Sequence, residues 1–174
     1  MVIGIEDKLK EIAEIERHFH TRSRWIGKKA VQTATDWADD VIATPFVAIS
    51  GTGDYGSDAD DEALIIGTDD TPIITGMVKY DFHELLIVGV DHDTVYKLRV
   101  VYGSGTMANA IIAEQYSEVM VQFDAANPTQ SAGSPVVIQM PRLNAGVDKV
   151  WVQAKNATND SEIDFFVGLH EYIE

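Results

Sequence analysis

The sequence contains no cysteine. Disulfide scaffolds, thiolate zinc sites and cysteine nucleophiles are therefore excluded. It also lacks any apolar run near the roughly eighteen residues that a membrane-spanning helix needs, so we expect no membrane partner. At the N-terminus, charges such as Glu6, Asp7 and Lys8 separate the apolar residues. A signal peptide needs an uninterrupted apolar region, so none is predicted.

Basic residues are scarce and unevenly placed. The net charge is −15, and residues 30–78 contain no lysine or arginine. A carboxylate-rich surface repels phosphate, so nucleic acid is not an expected partner. By contrast, residues 1–29 hold seven of the thirteen basic residues. This asymmetry predicts that the acidic body meets a cationic partner surface or cations.

An apolar stripe predicts a short amphipathic helix in residues 1–20. Its members follow one another at steps of four, three, three and four residues, which places them on one helix face: Ile5, Leu9, Ile12, Ile15 and Phe19. A helix of about four turns is marginal in water by itself. The stripe must therefore pack either on the body or on copies of itself, and the spacing leaves both alternatives open.

Residues 21–44 are predicted to form a linker. Trp25 and Trp37 are large apolar anchors in this otherwise polar segment. Two tryptophans in a linker indicate a strap that lies over the body or over a neighbouring subunit. We therefore group both residues with the helix stripe as an oligomerisation or anchoring device.

Residues 45–174 are predicted to form one β domain. Short segments with alternating apolar residues follow one another between turn signals, and no strand–helix–strand alternation occurs. This pattern is typical of an antiparallel β-sandwich of the jelly-roll type. A helical turn or a long loop is expected at residues 106–115. The predicted strands are Phe46–Ser50, Ala63–Ile66, 72–80, 84–90, Val95–Tyr102, 119–123, Val136–Met140, Lys149–Lys155 and Ile163–Leu169.

An acidic, glycine-containing loop follows the first of these strands. Its carboxylates are Asp54, Asp58, Asp60, Asp61 and Glu62. Carboxylate oxygens are the ligands that Ca²⁺ prefers, but their order does not match the EF-hand loop. We expect a solvated surface loop and no cofactor, and a Ca²⁺ site is the alternative.

The histidine motifs do not combine into a catalytic constellation. Asp91-His92-Asp93 joins carboxylates to an imidazole, but catalytic dyads are usually assembled from distant segments beside a nucleophile. His18 and His20 lack further metal ligands and are read as a surface or interfacial pair. His170-Glu171-Tyr172 lacks the second histidine of a metalloprotease motif. Burial or a subunit contact is expected there, and we predict that the protein is not an enzyme.

Several longer strings give the chain a family likeness: HTRSRW at 20–25, VQTATDW at 31–37, GTDDTP at 67–72, QYSEVM at 115–120, QMPR at 139–142 and FVGLHEY at 166–172. With these strings the chain resembles small structural proteins from tailed-bacteriophage virions. The resemblance implies a β-sandwich that decorates the capsid as a cement protein or forms part of a head fibre, usually as a homotrimer. Its implied partner is the major capsid protein or another virion protein. A glycan- or receptor-binding module of a phage tail or cell surface is the alternative.

Overall fold

The computed structural model of the protein describes residues 22–27, 45–56, 63–67, 78–92, 95–122 and 135–173. Ten strands and one short helix lie within these ranges, so the predicted mainly β class is confirmed. In chain order they are β1 Arg22–Ile26, β2 Phe46–Thr52, β3 Leu64–Ile66, β4 Lys79–Val90, β5 Val95–Gly103, α1 Met107–Ile112, β6 Tyr116–Gln122, β7 Pro135–Val137, β8 Leu143–Asn144, β9 Lys149–Asn156 and β10 Glu162–Tyr172.

The strands form one curled, mixed sheet in the order β6-β5-β9-β2-β10-β4-β7. In addition, β1 pairs with β10, β3 pairs with β9 and β8 pairs with β4. The curl brings the segment after β7 towards β6, where the Ser117 hydroxyl donates a hydrogen bond to the Gln139 carbonyl oxygen. Two parts of the sheet therefore face each other across a shared interior.

One strand pair departs from the predicted antiparallel arrangement. Residues 46–49 of β2 pair antiparallel with β10, whereas residues 50–52 pair parallel with β9. The chain runs from β9 through a turn into β10, so these two strands travel in opposite directions. Because β2 lies between them, it must run parallel to one of the two. The mixed sheet is thus a consequence of inserting β2 between strands that are consecutive in sequence.

The interior is filled by alternating apolar residues, as the period of the predicted strands requires. Alternate residues of β5, namely Tyr96, Leu98 and Val100, are buried in it, and so are four alternate residues of β10: Ile163, Phe165, Val167 and Leu169. Residues of β4 and β9 complete the same cluster. This core holds the two facing parts of the sheet together.

A second apolar cluster covers the outer side of β5 and β9. It contains Val101 and Trp151 from the sheet and Met107 and Ala110 from α1. The helix begins after Thr106, whose hydroxyl accepts a hydrogen bond from the Asn109 backbone N–H as an N-cap. Of the helical turn or long loop expected at 106–115, the structure shows a short helix, and its packing leaves β9 buried on both faces.

Some predicted segments lie outside the described residues. They are the N-terminal helix, most of the linker and the first residues of the strand expected at 72–80. Residues 79–90 form one long strand where two segments were predicted. Within the linker range, β1 is a strand that pairs with β10. In the parts of the chain that the structure describes, no helix has the length and apolar character needed to cross a membrane.

Candidate functional site

Few of the residues singled out from the sequence fall in the described ranges. Trp25 lies half-buried on β1, opposite Gly168 of β10. Asp54 is exposed in the turn after β2. The remaining members of the anchoring and acidic groups lie outside the described residues, and their roles stay predictions: Ile5, Leu9, Ile12, Ile15, Phe19, Trp37, Asp58, Asp60, Asp61 and Glu62.

The Asp91–His92 pair lies at the end of β4, where it holds a turn. His92 Nδ1 is 2.8 Å from Asp91 Oδ1 and 3.3 Å from the Ser161 hydroxyl. A catalytic serine and a carboxylate need opposite nitrogens of the imidazole ring, so this shared contact at Nδ1 does not form a triad. The Ser161 side chain also donates to the Thr158 carbonyl oxygen. These groups fasten the turn before β10 to the end of β4.

The Asp91 carboxylate accepts several hydrogen bonds in this turn. Partial burial opposes its ionisation, but hydrogen bonds from His92, from the Tyr96 hydroxyl and from the Glu162 backbone N–H outweigh that effect and lower the pKa of Asp91. Burial and the hydrogen bond to Asp91 raise the pKa of Tyr96 to about 12. The tyrosine therefore remains a donor throughout the physiological pH range.

A second polar cluster lies on the outer face of β5, β6 and β9. The Arg99 guanidinium lies 3.9 Å from the centroid of the Tyr55 ring and also donates to Gln153 Oε1. The Tyr55 hydroxyl donates to Glu118 Oε1 at 2.6 Å, and Lys97 forms an ion pair with the same carboxylate. Although burial opposes ionisation of Glu118, these contacts lower its pKa. The cluster satisfies its own charges and ties the turn after β2 to the sheet.

The group of side chains best placed to bind a ligand consists of Asp81, His83 and His170. Asp81 and His170 face each other directly across the β4–β10 ladder. The register shifts between Gly168 and Leu169 of β10, where His83 is the extra residue of β4. Such a bulge redirects a side chain. On the core side, Phe82 and Leu85 are both buried although they are three residues apart, which is the packing signature of the same bulge.

One nitrogen or carboxylate oxygen of each of these three side chains lies within 4.8 Å of the other two. The imidazole rings of His83 and His170 stack with centroids 4.5 Å apart. His170 Nδ1 is 3.3 Å from Asp81 Oδ1, an ion-pair distance, yet this buried oxygen accepts no hydrogen bond from the described residues. The two observations are compatible because His170 Nδ1 lies close to Asp81 Oδ1 without the geometry of a hydrogen bond. We call these residues the Asp81 site.

Tyr172 orients the carboxylate of the Asp81 site. Its hydroxyl donates to Asp81 Oδ2 at 2.5 Å, which leaves Oδ1 on the side of the histidines. Burial and this hydrogen bond raise the pKa of Tyr172 to about 12, so the hydroxyl keeps its proton near neutral pH. The guanidinium of Arg142 lies 3.7 Å from the centroid of the Tyr172 ring and fixes the ring from the other side.

A cavity of about 290 Å³ opens beside the site. Asp81 and His83 form one wall, and the segment from Val137 to Met140 forms the other. The backbone carbonyl of His83 accepts a hydrogen bond from the Ile138 N–H at 2.8 Å, so this segment is fixed against the bulge. Two imidazoles and a carboxylate beside open space are a ligand set suited to borderline transition metals such as zinc.

The sequence contained two weak signals for this site. The apolar residues of β4 change phase between Phe82 and Leu85, which indicates a bulge near His83. His170 and Tyr172 lie two residues apart and therefore share one face of a strand. No local pattern connects them with Asp81, because the β4–β10 register is set by contacts distant in sequence. Of the burial or subunit contact expected at residues 170–172, the structure shows burial of Glu171 and Tyr172, but the expectation did not include the partners of His170.

Comparisons with known proteins give no further identification. No family model matches the chain, and neither the search of curated proteins nor the search of solved structures found a match.

Proposed function

We propose that the protein is a structural subunit of a tailed-bacteriophage virion. In this proposal it is a trimeric capsid decoration protein, or a head-fibre subunit, that binds the outer shell through the major capsid protein or another virion protein. The protein acts by assembly and needs no catalysis.

The observation that carries the proposal is the exposure of large apolar side chains at the β5–β6 end of the sheet. Ile112 of α1 is 81% exposed and Met120 of β6 is 71% exposed. Single exposed apolar residues are common, but β6 also ends the strand order of the described residues. An end strand offers backbone hydrogen-bonding groups to another chain. Each of these features can be covered by a neighbouring subunit.

The finer architecture belongs to the same proposal. We infer that the curled sheet is a β-sandwich of the jelly-roll type. Its support is that one core cluster contains inward residues of β4 and β10 and of β5 and β9. The parallel β2–β9 contact is then a local addition to an otherwise antiparallel sandwich.

The alternative, a glycan- or receptor-binding module, has weaker support. Tyr55 and Tyr116 lie on one outer face, and aromatic rings there are suited to stacking against sugars. However, the Arg99 guanidinium lies over the Tyr55 ring and 5.5 Å from the centroid of Tyr116. A sugar would have to displace this cation, so the assembly role is the better explanation.

Solution mass and particle labelling test the proposal. Each chain has a mass of 19.1 kDa, so a trimer has three times that mass, and light scattering should resolve it from a monomer. Antibodies against the chain should label the heads of tailed particles purified from the source that encodes it. A protein that is monomeric at every concentration, together with unlabelled particles, would overturn the proposal.

A further inference from the structure

We propose that the Asp81 site binds one Zn²⁺ ion or a similar borderline transition-metal ion, with Asp81 Oδ1 and one ring nitrogen from each of His83 and His170 as its ligands. The metal would join the bulge of β4 to the end of β10. This site does not depend on the virion role proposed above.

The first support is the ligand set and its spacing. Tetrahedral zinc has bonds to nitrogen and oxygen of about 2.0–2.2 Å, which places its ligand atoms about 3.3 Å apart. The His170 Nδ1–Asp81 Oδ1 distance of 3.3 Å already has this value. The remaining separations, up to 4.8 Å, close by small side-chain rotations. The register shift at His83 places its side chain beside the other two ligands.

The second support is the unsatisfied carboxylate oxygen. Asp81 Oδ1 is buried and accepts no hydrogen bond within the described part of the chain. A buried acceptor without a hydrogen bond is costly, whereas a metal ion would coordinate it. Meanwhile the Tyr172 hydroxyl donates to Asp81 Oδ2, and such an outer partner is typical of a ligating carboxylate.

The third support is the stacking of the two imidazoles. Ring centroids 4.5 Å apart bring a nitrogen of each imidazole close enough to Asp81 for the three side chains to share one ion. The positive charge of the ion would then lie beside the carboxylate. Three protein ligands would leave a fourth position for water, and two of them, Asp81 and His83, line the adjacent cavity.

Calorimetric titration and thermal unfolding of the full chain test this site. After dialysis against EDTA, titration with ZnCl₂ should show one Zn²⁺ per chain. Since the ion binds the folded state, the melting temperature should rise by roughly 5–10 °C at a hundredfold excess over the dissociation constant. Co²⁺ should replace Zn²⁺ and give visible absorption bands that report coordination directly.

Substitutions separate the ligands from their surroundings. His83→Ala and His170→Ala should each weaken Zn²⁺ binding by more than about tenfold and abolish the Co²⁺ bands. Tyr172→Phe keeps all three ligands but loses the bond to Asp81, so it should weaken binding by about tenfold. If His170→Ala does not fold, His83→Ala still tests the site, because His83 is a half-exposed ligand at the bulge.

Two matched controls address other histidines. His92→Ala changes a half-exposed histidine in the Asp91 turn, and the double variant His18→Ala/His20→Ala removes the N-terminal pair. Both should bind Zn²⁺ like the unaltered chain. The proposal is overturned if the unaltered chain binds no Zn²⁺, if His83→Ala binds it equally well, or if binding disappears with His18 and His20 instead.

Discussion

Gly56 shows how closely the backbone packs at the residue scale. Its N–H donates to the Ala154 carbonyl oxygen at 3.0 Å, and its own carbonyl accepts a hydrogen bond from Gln153 Nε2. A Cβ at this position would lie 2.1 Å from the Ile49 carbonyl oxygen and 2.6 Å from the Ser50 carbonyl carbon. Because these atoms belong to the backbone of β2, we expect Gly56→Ala to lower the free energy of unfolding by about 2–3 kcal/mol in urea denaturation.

Gly105 supplies the matched control for this substitution. A Cβ there would meet no atom closer than Asn109 Nδ2 at 3.9 Å. Gly105→Ala should therefore change the free energy of unfolding by less than about 0.5 kcal/mol. Equal effects of the two substitutions would show that β2 does not approach Gly56 as the structure places it.

Two aspartates at the end of β4 and the start of β10 should respond oppositely to loss of charge. Burial, followed by the charges of Glu162 and Asp91, raises the pKa of Asp164. A raised pKa means that the ionised form of Asp164 destabilises the folded state. The stability of the folded state is therefore highest when Asp164 is protonated and falls as pH rises through its folded-state pKa. Asp164→Asn should accordingly raise the melting temperature at pH 7, and the gain should vanish at a pH where Asp164 is protonated in both states.

Asp91→Asn should have the reverse effect. Its pKa is lowered in the folded state, so its stabilisation is present above the unfolded pKa and disappears as pH falls through the folded pKa. The variant should melt at a lower temperature than the unaltered chain at pH 7. Thermal unfolding between pH 3 and pH 7 measures how the melting temperature of each variant depends on pH. The same pH dependence for both variants would contradict the opposite pKa shifts of Asp164 and Asp91.

At the element scale, the bulge in β4 reverses which residues face the core. Tyr80 and Phe82 point inwards before it, whereas Leu85 and Ile87 point inwards after it. Leu85→Ala should therefore lower the free energy of unfolding by about 2–5 kcal/mol, as for other buried leucines. Val88 lies an even number of residues after Phe82 but is 39% exposed, and it is the extra residue at a second register shift in β4. Val88→Ala should lower the free energy of unfolding by less than about 1 kcal/mol. If urea denaturation showed a larger loss for Val88→Ala than for Leu85→Ala, β4 would be a regular strand without the bulge at His83.

Elements with strong alternation could be predicted from the sequence, and weak ones could not. The predicted limits of β5 and β10 are close to the observed ones because their inward residues are uniformly large and apolar. By contrast, β8 has two residues, too few to show a period. β1 has a charged and polar sequence, and its position follows from pairing with β10. In β4 the sequence shows that the apolar residues change phase. It does not show that this change places His83 beside Asp81 and His170, because that depends on pairing with β10.

At the scale of the whole molecule, the pairing of distant strands decides what the sequence alone cannot. No local signal places β2 between β9 and β10, so the expected fully antiparallel order was wrong at this contact. The same long-range pairing brings His170 beside Asp81, which is 89 positions earlier in the chain. Composition and period fix the class of the fold, whereas the candidate metal site depends on a register that only tertiary packing sets.

We predict that the oligomeric state depends on the apolar stripe of residues 1–20, which lies outside the described residues. Ile5 and Ile12 belong to this stripe, and isoleucine-rich core positions favour assemblies of more than two helices. Nearby basic residues can meet the acidic body of a neighbouring subunit or an acidic shell protein. The predicted helix would therefore have both an apolar and an electrostatic reason to lie in a contact.

Ile5→Asp together with Ile12→Asp should abolish the proposed trimer. Each change puts a charge into the apolar seam, where an unpaired buried charge costs several kcal/mol. The β domain has its own core, so its circular dichroism and its binding of Zn²⁺ should remain unchanged. Light scattering should then give the mass of one chain, and attachment to particles should be lost. A double variant that stays trimeric would show that the subunits meet through the β sheet instead, with β6 as the first place to search.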